Sequence, residues 1–533
     1  MHIAVAQINT SVGDIKGNTE KIITYIKKAS QKADLIIFPE LTITGYPPQD
    51  LLLEPDFIQK NQDMLLKIAE VCTRPCVVGM VDKKNDKLFN SAVLIQEKKL
   101  QFQHKILLPN YDVFDEKRYF IPGNSQLLHE IHGKKVGIEI CEDLWEESYT
   151  RKPTITLQDM GADIIINISA SPFCVDKIKE RIHLAQKYTV DTFIYCNLVG
   201  GQDELVFDGQ SFILKNQKLV KIGNAFKEDF FIVDTDRKYS PMPLKINGIA
   251  HLFNALVLGL KDYCRKTHFE KVVLGISGGI DSSLTACIAK EAVGKENVVG
   301  LFMPSQYTSK ESTHCAQNLA ENLGITFLIL PIDTIFISYK KTFKKIFAGF
   351  SEDITEENIQ ARIRGNLLMA YSNKCGHLVL APGNKTELAL GYCTLYGDMS
   401  GGLSVIGDVS KMQVYELAQY YNAQTGNVIP EAVLSRVPTA ELKEEQVDPF
   451  DYTIISPLVD LIVEERTSRQ ELIDLGYNLE LVDDILKRLY KNEYKRRQAA
   501  PVIKVTKKSF GIGRRYPIAN EFLKSWLHKD IIQ

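Results

Sequence analysis

Residues Ser277-Gly278-Gly279-Ile280-Asp281-Ser282-Ser283 set small, flexible and hydroxyl-bearing residues around one carboxylate, directly after the apolar run Val272-Val273-Leu274. A β-rich run feeding a Ser/Gly loop, with a helical pattern from Ser282 to Val293, predicts a strand–loop–helix junction. Such a junction aims backbone N–H groups and the positive end of a helix at an anion. Gly278 and Gly279 let the main chain approach closely, while Ser277, Ser282 and Ser283 add hydroxyl donors. Asp281 would repel a phosphate unless a cation lay between them, so the chemistry predicted is a nucleotide phosphate with Mg2+. No Gly-Lys-[Ser/Thr] follows, which sets a Walker loop aside. Ser-Gly-Gly by itself would suit an ordinary βα turn with a Ser cap.

Three further residues stand at predicted strand ends. Glu40 follows Ile36-Ile37-Phe38-Pro39, Lys105 precedes Leu107-Leu108-Pro109-Asn110-Tyr111, and Cys141 closes Val136–Ile140. Taken singly, each has a plain explanation: a buried cysteine is usually a small hydrophobe, and Phe-Pro-Glu is commonly a turn. His104 is the nearest histidine, but as the strand neighbour of Lys105 it points to the other face.

The elements that must position these residues alternate along the chain. In the first half, His2–Ile8, Leu35–Phe38, Val77–Val81, Ser91–Ile95, Lys135–Ile140, Ile164–Ile168 and Phe193–Asn197 read as strands. Asn18–Lys32 and Pro55–Val71 read as helices between them, and Gln210–Leu214, Lys218–Ile222 and Phe230–Val233 as a closing meander. A polar, proline-bearing stretch from Asp234 to Leu244 reads as a linker, dividing the chain into domains 1–240 and 241–533. Beyond it, helix Asn247–Lys266 leads into the Ser/Gly junction. Strands Val298–Met303, Thr326–Leu330 and Leu378–Ala381 follow in a βαβ rhythm that predicts a parallel sheet with its ligand at the strand C-termini. From about residue 440 the chain reads as helical and charged.

At 533 residues the chain exceeds one hydrophobic core. Its net charge of −2 argues against a nucleic-acid binder that relies on bulk electrostatics. Ten scattered cysteines form neither a zinc-ligand pattern nor a secreted disulfide framework, no apolar run spans a bilayer, and Met1–Gln7 enters a strand directly. A reducing cytoplasm is the expected location.

Phe38-Pro39-Glu40-Leu41, His104–Tyr111, Val113–Tyr119 and Ile140–Trp145 together resemble the nitrilase (carbon–nitrogen hydrolase) superfamily over nearly all of residues 1–235. The resemblance implies an α-β-β-α sandwich with a Glu40, Lys105, Cys141 triad supported by Glu116. Its glutaminase branch implies glutamine contacts at Tyr111, Trp145 and Ser171, and at Lys177 where some members carry Arg. The chemistry suits the residue types: a thiolate nucleophile, a carboxylate base and an ammonium for the developing oxyanion.

Ser277–Ser283 resembles the loop of enzymes that split ATP into AMP and pyrophosphate, and downstream segments resemble NAD synthetase, the amidating member of that group. These segments are Asn358–Arg362, Ala381–Glu387, Leu395–Asp398, Asp408–Lys411, Pro438–Leu442 and Lys495–Pro501. The resemblance implies a Rossmann-like, doubly wound α/β domain of the adenine nucleotide alpha hydrolase type. It implies ATP contacts from Ser277, Gly278, Gly279, Asp281, Ser282, Ser283, Met303, Arg362 and Thr386. Deamido-NAD+ contacts would come from Asn358, Asp398, Lys411, Thr439 and Lys495, and Mg2+ ligands from Asp281 and Glu387. Together the two resemblances imply a homo-oligomeric ligase that takes ammonia from glutamine and amidates an adenylated deamido-dinucleotide. The alternatives are a different amidotransferase of the same loop group, a noncatalytic scaffold in residues 1–240, and nucleotide binding without chemistry.

Overall fold

The computed structural model describes residues 1–522, which divide into two compact units, Met1–His251 and the chain from Leu252 onward. The division falls inside helix Gly248–Lys266 rather than before it.

The first unit is built on two six-stranded sheets. One runs Asp229–Asp234, His2–Gln7, Leu35–Ile37, Cys76–Lys84, Lys87–Gln96, Lys99–His104 in spatial order. The other runs Lys218–Ile222, Phe212–Lys215, Thr192–Asn197, Ile164–Ser169, Lys134–Ile140, Leu128–Ile131. The period of two in a strand sorts the side chains into layers. Along His2–Gln7, Ile3 and Val5 meet Ile138, Ile140, Ile164 and Ile166 of the second sheet. Ala4 and Ala6 turn outward to Ile22, Ile26, Leu65 and Ile68 of helices Ile15–Ala29 and Pro55–Val71. On the far side of the second sheet, Ile165, Phe193 and Tyr195 receive Leu157, Ile178 and Ile182 of helices Pro153–Asp159 and Lys177–Ala185. The result is the α-β-β-α sandwich. Strands Lys99–His104 and Leu128–Ile131 were not marked in the sequence; they occupy sheet edges, where the apolar signal is diluted by Lys, Gln, His and Glu.

The second unit holds a five-stranded sheet, all parallel, in the order Thr326–Ile329, Val298–Phe302, Val272–Gly275, Leu378–Ala381, Leu403–Ser404. The chain starts in the middle strand, steps outward one way, then returns to step outward on the other side. That reversal opens a crevice at the C-terminal end of Val272–Gly275. Helices Asp333–Phe343 and Ile354–Cys375 pack Phe336, Ile363 and Leu368 on Val273, Val299, Leu301 and Val379. Helices Tyr452–Val463, Arg469–Asp474 and Leu479–Lys491 close a separate apolar cluster with Leu388 and Leu390. Among the described residues no helix is long and apolar enough to cross a membrane.

Candidate functional site

In the first unit, strand ends from both sheets converge on one buried cluster. Glu40, Lys105, Glu116 and Cys141 are all buried. The Lys105 Nζ donates to Glu40 Oε1 at 2.7 Å and to Glu116 Oε1 at 2.8 Å. Glu40 also accepts from Asn90 Nδ2 at 2.7 Å and from the Ala170 N–H at 2.8 Å, so its carboxylate is held by three donors. Tyr46 donates to Glu116 at 2.9 Å. Cys141 opens the 3-10 turn Cys141–Leu144 with φ of 44°, a left-handed conformation that a side-chain-bearing residue adopts only under restraint from its surroundings.

Burial pushes the Cys141 thiol well up, Glu40 adds to this, and Lys105 opposes it. Burial therefore favours the thiol form of the resting sulfur, with Glu40 and Lys105 acting on it in opposite directions. Burial alone would lower Lys105, but Glu116, Glu40 and Cys141 together raise it, keeping the ammonium charged. His104 turns away, as expected: its ring stacks on Phe89 and its Nε2 meets Asp82 at 2.9 Å.

Around this cluster, the half-exposed Tyr111 donates its phenol to Glu142 at 3.0 Å, joined there by Tyr149 at 2.8 Å. Lys177 Nζ lies 3.8 Å from the centre of the Trp145 ring and pairs with Glu180 at 2.9 Å. Ser171 is engaged from behind, its Oγ accepting from Arg181 Nε at 3.1 Å, while Arg181 makes a buried ion pair with Asp208 at 2.8 Å. Sequence reasoning missed Asn90, Glu142, Tyr149 and Arg181. Asn90 has a local signal, a polar residue inside the apolar run Leu88–Ile95, whereas Glu142, Tyr149 and Arg181 lie in charged stretches with none.

In the second unit, the Ser277–Ser283 loop lies at the mouth of the sheet crevice. Gly278 has φ of 83°, and a Cβ there would collide with the Ser312 carbonyl, so glycine is required. The Ser277 and Ser282 hydroxyls face each other at 3.1 Å, and Ser283 Oγ folds back on Gly279 O at 2.8 Å. A cavity of ≈ 220 Å³ is lined by Ser277, Gly278, Gly279, Asp281, Ser282, Glu387, Asp398, Lys411 and Thr439. A second, of ≈ 260 Å³, is lined by Gly275, Ser277, Met303, Arg364 and Leu368.

Asp281 accepts from Asn384 Nδ2 at 2.8 Å and from the Lys411 ammonium, which reaches Glu387 Oε1 at 3.4 Å. Burial and the nearby Asp281 push Glu387 up to about 8, against the pull of Lys411. Two hard carboxylates thus share one ammonium. That donor set suits Mg2+, which commonly takes one or two carboxylates and completes its shell with water and substrate phosphates.

Five expected contacts lie outside the lining of both cavities. Arg362 is exposed and donates to Leu395 O at 3.2 Å; Arg364, two residues on, reaches Met303 O at 2.9 Å and lines the second cavity. Thr386 is buried, its hydroxyl accepting from the Lys411 N–H at 3.1 Å. Lys495 donates to Gly391 O and Cys393 O, each at 2.8 Å, at the end of helix Lys385–Leu390. Asn358 Oδ1 accepts from Thr394 Oγ1 at 2.7 Å, and Ser283 is buried.

Comparison with known proteins follows the same division. The carbon-nitrogen hydrolase family model matches residues 2–240, and the NAD synthase model matches residues 252–499. The glutamine-dependent NAD(+) synthetase of Thermotoga maritima is 42% identical, with 98% of this chain and 99% of the relative covered. The chain belongs to the glutamine-dependent NAD(+) synthetase family. The family member from Synechocystis is 43% identical over 98% of this chain and 99% of the relative. The solved glutamine-dependent NAD+ synthetase of Acinetobacter baumannii, in complex with ADP, is 39% identical, with a TM-score of 0.79 over 97% of this chain and 98% of that one. A second family structure, from Cytophaga hutchinsonii, shares the fold with a TM-score of 0.87 at 22% identity over 100% of both chains.

Proposed function

We propose that this chain makes NAD+ by amidating deamido-NAD+ with ammonia released from glutamine, consuming ATP. The observation that carries the reading is the presence, in one chain, of a buried carboxylate–ammonium–thiol cluster and of a two-carboxylate cavity behind a Ser/Gly phosphate loop.

In the first unit, Glu40 accepts the Cys141 thiol proton as the sulfur attacks the glutamine amide carbon. Lys105 faces the developing oxyanion, and Glu116 and Asn90 keep Lys105 and Glu40 in place. The C–N bond breaks, Glu40 returns the proton to the departing ammonia, and a thioester is left on Cys141. Water, deprotonated by Glu40, cleaves that thioester to glutamate and the free thiol. Tyr111, Trp145, Ser171 and Lys177 surround the amino-acid end of the substrate.

In the second unit, the deamido-dinucleotide carboxylate attacks the α-phosphorus of ATP and pyrophosphate leaves. The carboxylate itself is a poor acyl donor, and its adenylate gives AMP as a good leaving group when ammonia attacks. The Ser277–Ser283 loop holds the phosphates with Met303 along the nucleotide. Asp398, Lys411 and Thr439 serve the dinucleotide; Thr386 holds the Lys411 N–H, and Asn358 and Lys495 fix the neighbouring Thr394, Gly391 and Cys393. Mg2+, held by Asp281 and Glu387, would neutralise charge on the departing pyrophosphate. On family grounds we place the enzyme in the cytoplasm as a homo-oligomer, which sedimentation would test.

The deciding experiment supplies deamido-NAD+, ATP and Mg2+ with either glutamine or an ammonium salt, and quantifies NAD+ and AMP. NAD+ from both nitrogen sources, with only the glutamine route lost in Cys141→Ala, is expected. No NAD+ from either source would mean a different acceptor.

A further inference from the structure

One buried carboxylate, outside the triad, joins the turn that presents Cys141 to the strand end that presents Lys105. Asp143 is fully buried. Its Oδ1 accepts the Ile106 N–H at 3.0 Å and the Leu107 N–H at 2.8 Å, while Oδ2 accepts the Ile140 N–H at 3.1 Å. The two segments continue strands of different sheets: Lys99–His104 lies in one, Lys134–Ile140 in the other. Backbone pairing within either sheet therefore leaves the register between Lys105 and Cys141 unset, and the Asp143 carboxylate spans that gap directly.

Other polar groups brace the same turn. Thr154 Oγ1 donates to Asp143 O at 3.1 Å and to Glu139 Oε2 at 2.8 Å. Asn167 Nδ2 donates to Glu139 Oε1 at 2.9 Å and reaches Cys141 O at 3.4 Å. The left-handed backbone at Cys141 persists under these restraints. Burial raises the Asp143 carboxyl, against the pull of the Leu107, Ile140 and Ile106 N–H groups and Lys105, to a net value of about 7.

We infer that Asp143 is a positioning residue for amide hydrolysis, its carboxylate fixing where the Cys141 sulfur stands relative to the Lys105 ammonium. The inference rests on reading residues 1–240 as the glutaminase. A carboxylate is required because both of its oxygens accept. Asparagine has the same shape, yet its amide offers one accepting end and one donating end. Turned one way, its NH2 faces the Ile106 and Leu107 N–H groups and the link to the Lys105 segment is lost; turned the other, it faces the Ile140 N–H and the turn that carries Cys141 loses its own brace. A packing role would tolerate the substitution; a clamp does not.

The test is Asp143→Asn in the full-length chain, with glutamate release measured across a range of glutamine concentrations. A displacement on the ångström scale between nucleophile and ammonium is expected to lower kcat about 100-fold with KM inside about threefold of wild type. NAD+ synthesis from ammonium stays unchanged in the same preparation. A kcat within about twofold of wild type, or a loss carried by KM alone, overturns the inference. Should Asp143→Asn fail to accumulate as folded protein, Thr154→Val keeps the carboxylate and removes the hydroxyl bracing the turn. That variant is expected to lower kcat about fivefold at unchanged KM, and wild-type kcat in it overturns the inference. Wild-type protein that releases no glutamate removes the glutaminase reading itself, whereas normal wild-type hydrolysis with an unimpaired Asp143→Asn removes only the clamp.

Discussion

Both centres place one lysine between two carboxylates, but they do so differently. In the first unit, Lys105 reaches Glu40 and Glu116 at 2.7 and 2.8 Å, and Asn90 and the Ala170 N–H take further positions on Glu40. In the second, Lys411 lies tight against Asp281 but 3.4 Å from Glu387, at the wall of a ≈ 220 Å³ cavity. The first arrangement is complete within the protein and suits chemistry run by its own side chains. The second leaves Glu387 short of positive charge, which is why burial and Asp281 can lift it to about 8. On the proposed reading this centre accepts a charged nucleotide and its cation, and the incoming cation relieves such a deficit.

The sharpest way to separate the two centres is Cys141→Ala. Glutamine-driven NAD+ formation is expected to fall by about 10⁴-fold or more, with ammonium-driven formation within about twofold of wild type. Equal loss on both routes would show that the centres are not independent.

Next in size is Lys105→Met, which leaves Glu40 and Glu116 buried without their cation. Hydrolysis is expected to drop about 10³-fold. The first unit is expected to lose about 3–5 kcal/mol, read as an earlier denaturant transition. An unchanged transition would refute the account of Lys105 as the cation that both buried carboxylates need.

Glu387→Gln addresses the second arrangement. Ammonium-driven synthesis is expected to fall about 100-fold. Stability is expected to respond with a definite sign. A carboxyl raised from its ordinary 4.5 to about 8 contributes stability that is full below pH 4.5 and is lost as pH rises through 8. Glu387→Gln should remove that decline, so the variant gains on wild type towards pH 9. A parallel pair of stability–pH curves would contradict the charge deficit.

The smallest effect concerns Lys177, stacked over Trp145. Lys177→Arg offers a planar fork to a carboxylate and is expected to lower the glutamine KM about threefold without changing kcat. A higher KM would place the substrate carboxylate elsewhere.

Local sequence carried much of the catalytic inventory. Glu40 and Cys141 each follow an apolar run, and a residue just past a strand end is where a sheet presents side chains to a shared cavity; Lys105 has no such run before it, and only the motif His104–Tyr111 marked it. The Ser277–Ser283 junction was legible for a similar reason, since glycine, hydroxyl and helix start are all encoded within seven neighbouring residues. Arg362 and Arg364 show the limit. Both sit on helix Ile354–Cys375 two positions apart; the family resemblance pointed to Arg362, which is exposed here, while Arg364 lines the cavity. The helix rotation that selects Arg364 for the cavity is set by Ile363 and Leu368 packing on the sheet.

The sequence by itself therefore determined the two halves, their strand and helix periods, and the residue types able to attack an amide or hold a phosphate. These follow from short-range patterns: a period of two or 3.6, a glycine where φ must be positive, a carboxylate beside a phosphate loop. The tertiary structure alone decided which charges meet. Asn90 on Glu40, Asp143 between Ile140 and Ile106, Arg181 behind Ser171, and Lys411 between Asp281 and Glu387 come from separate segments of the chain. Hydrogen bonds and ion pairs act over about 3 Å in space with no regard to sequence distance, so only the packed fold brings these partners within reach.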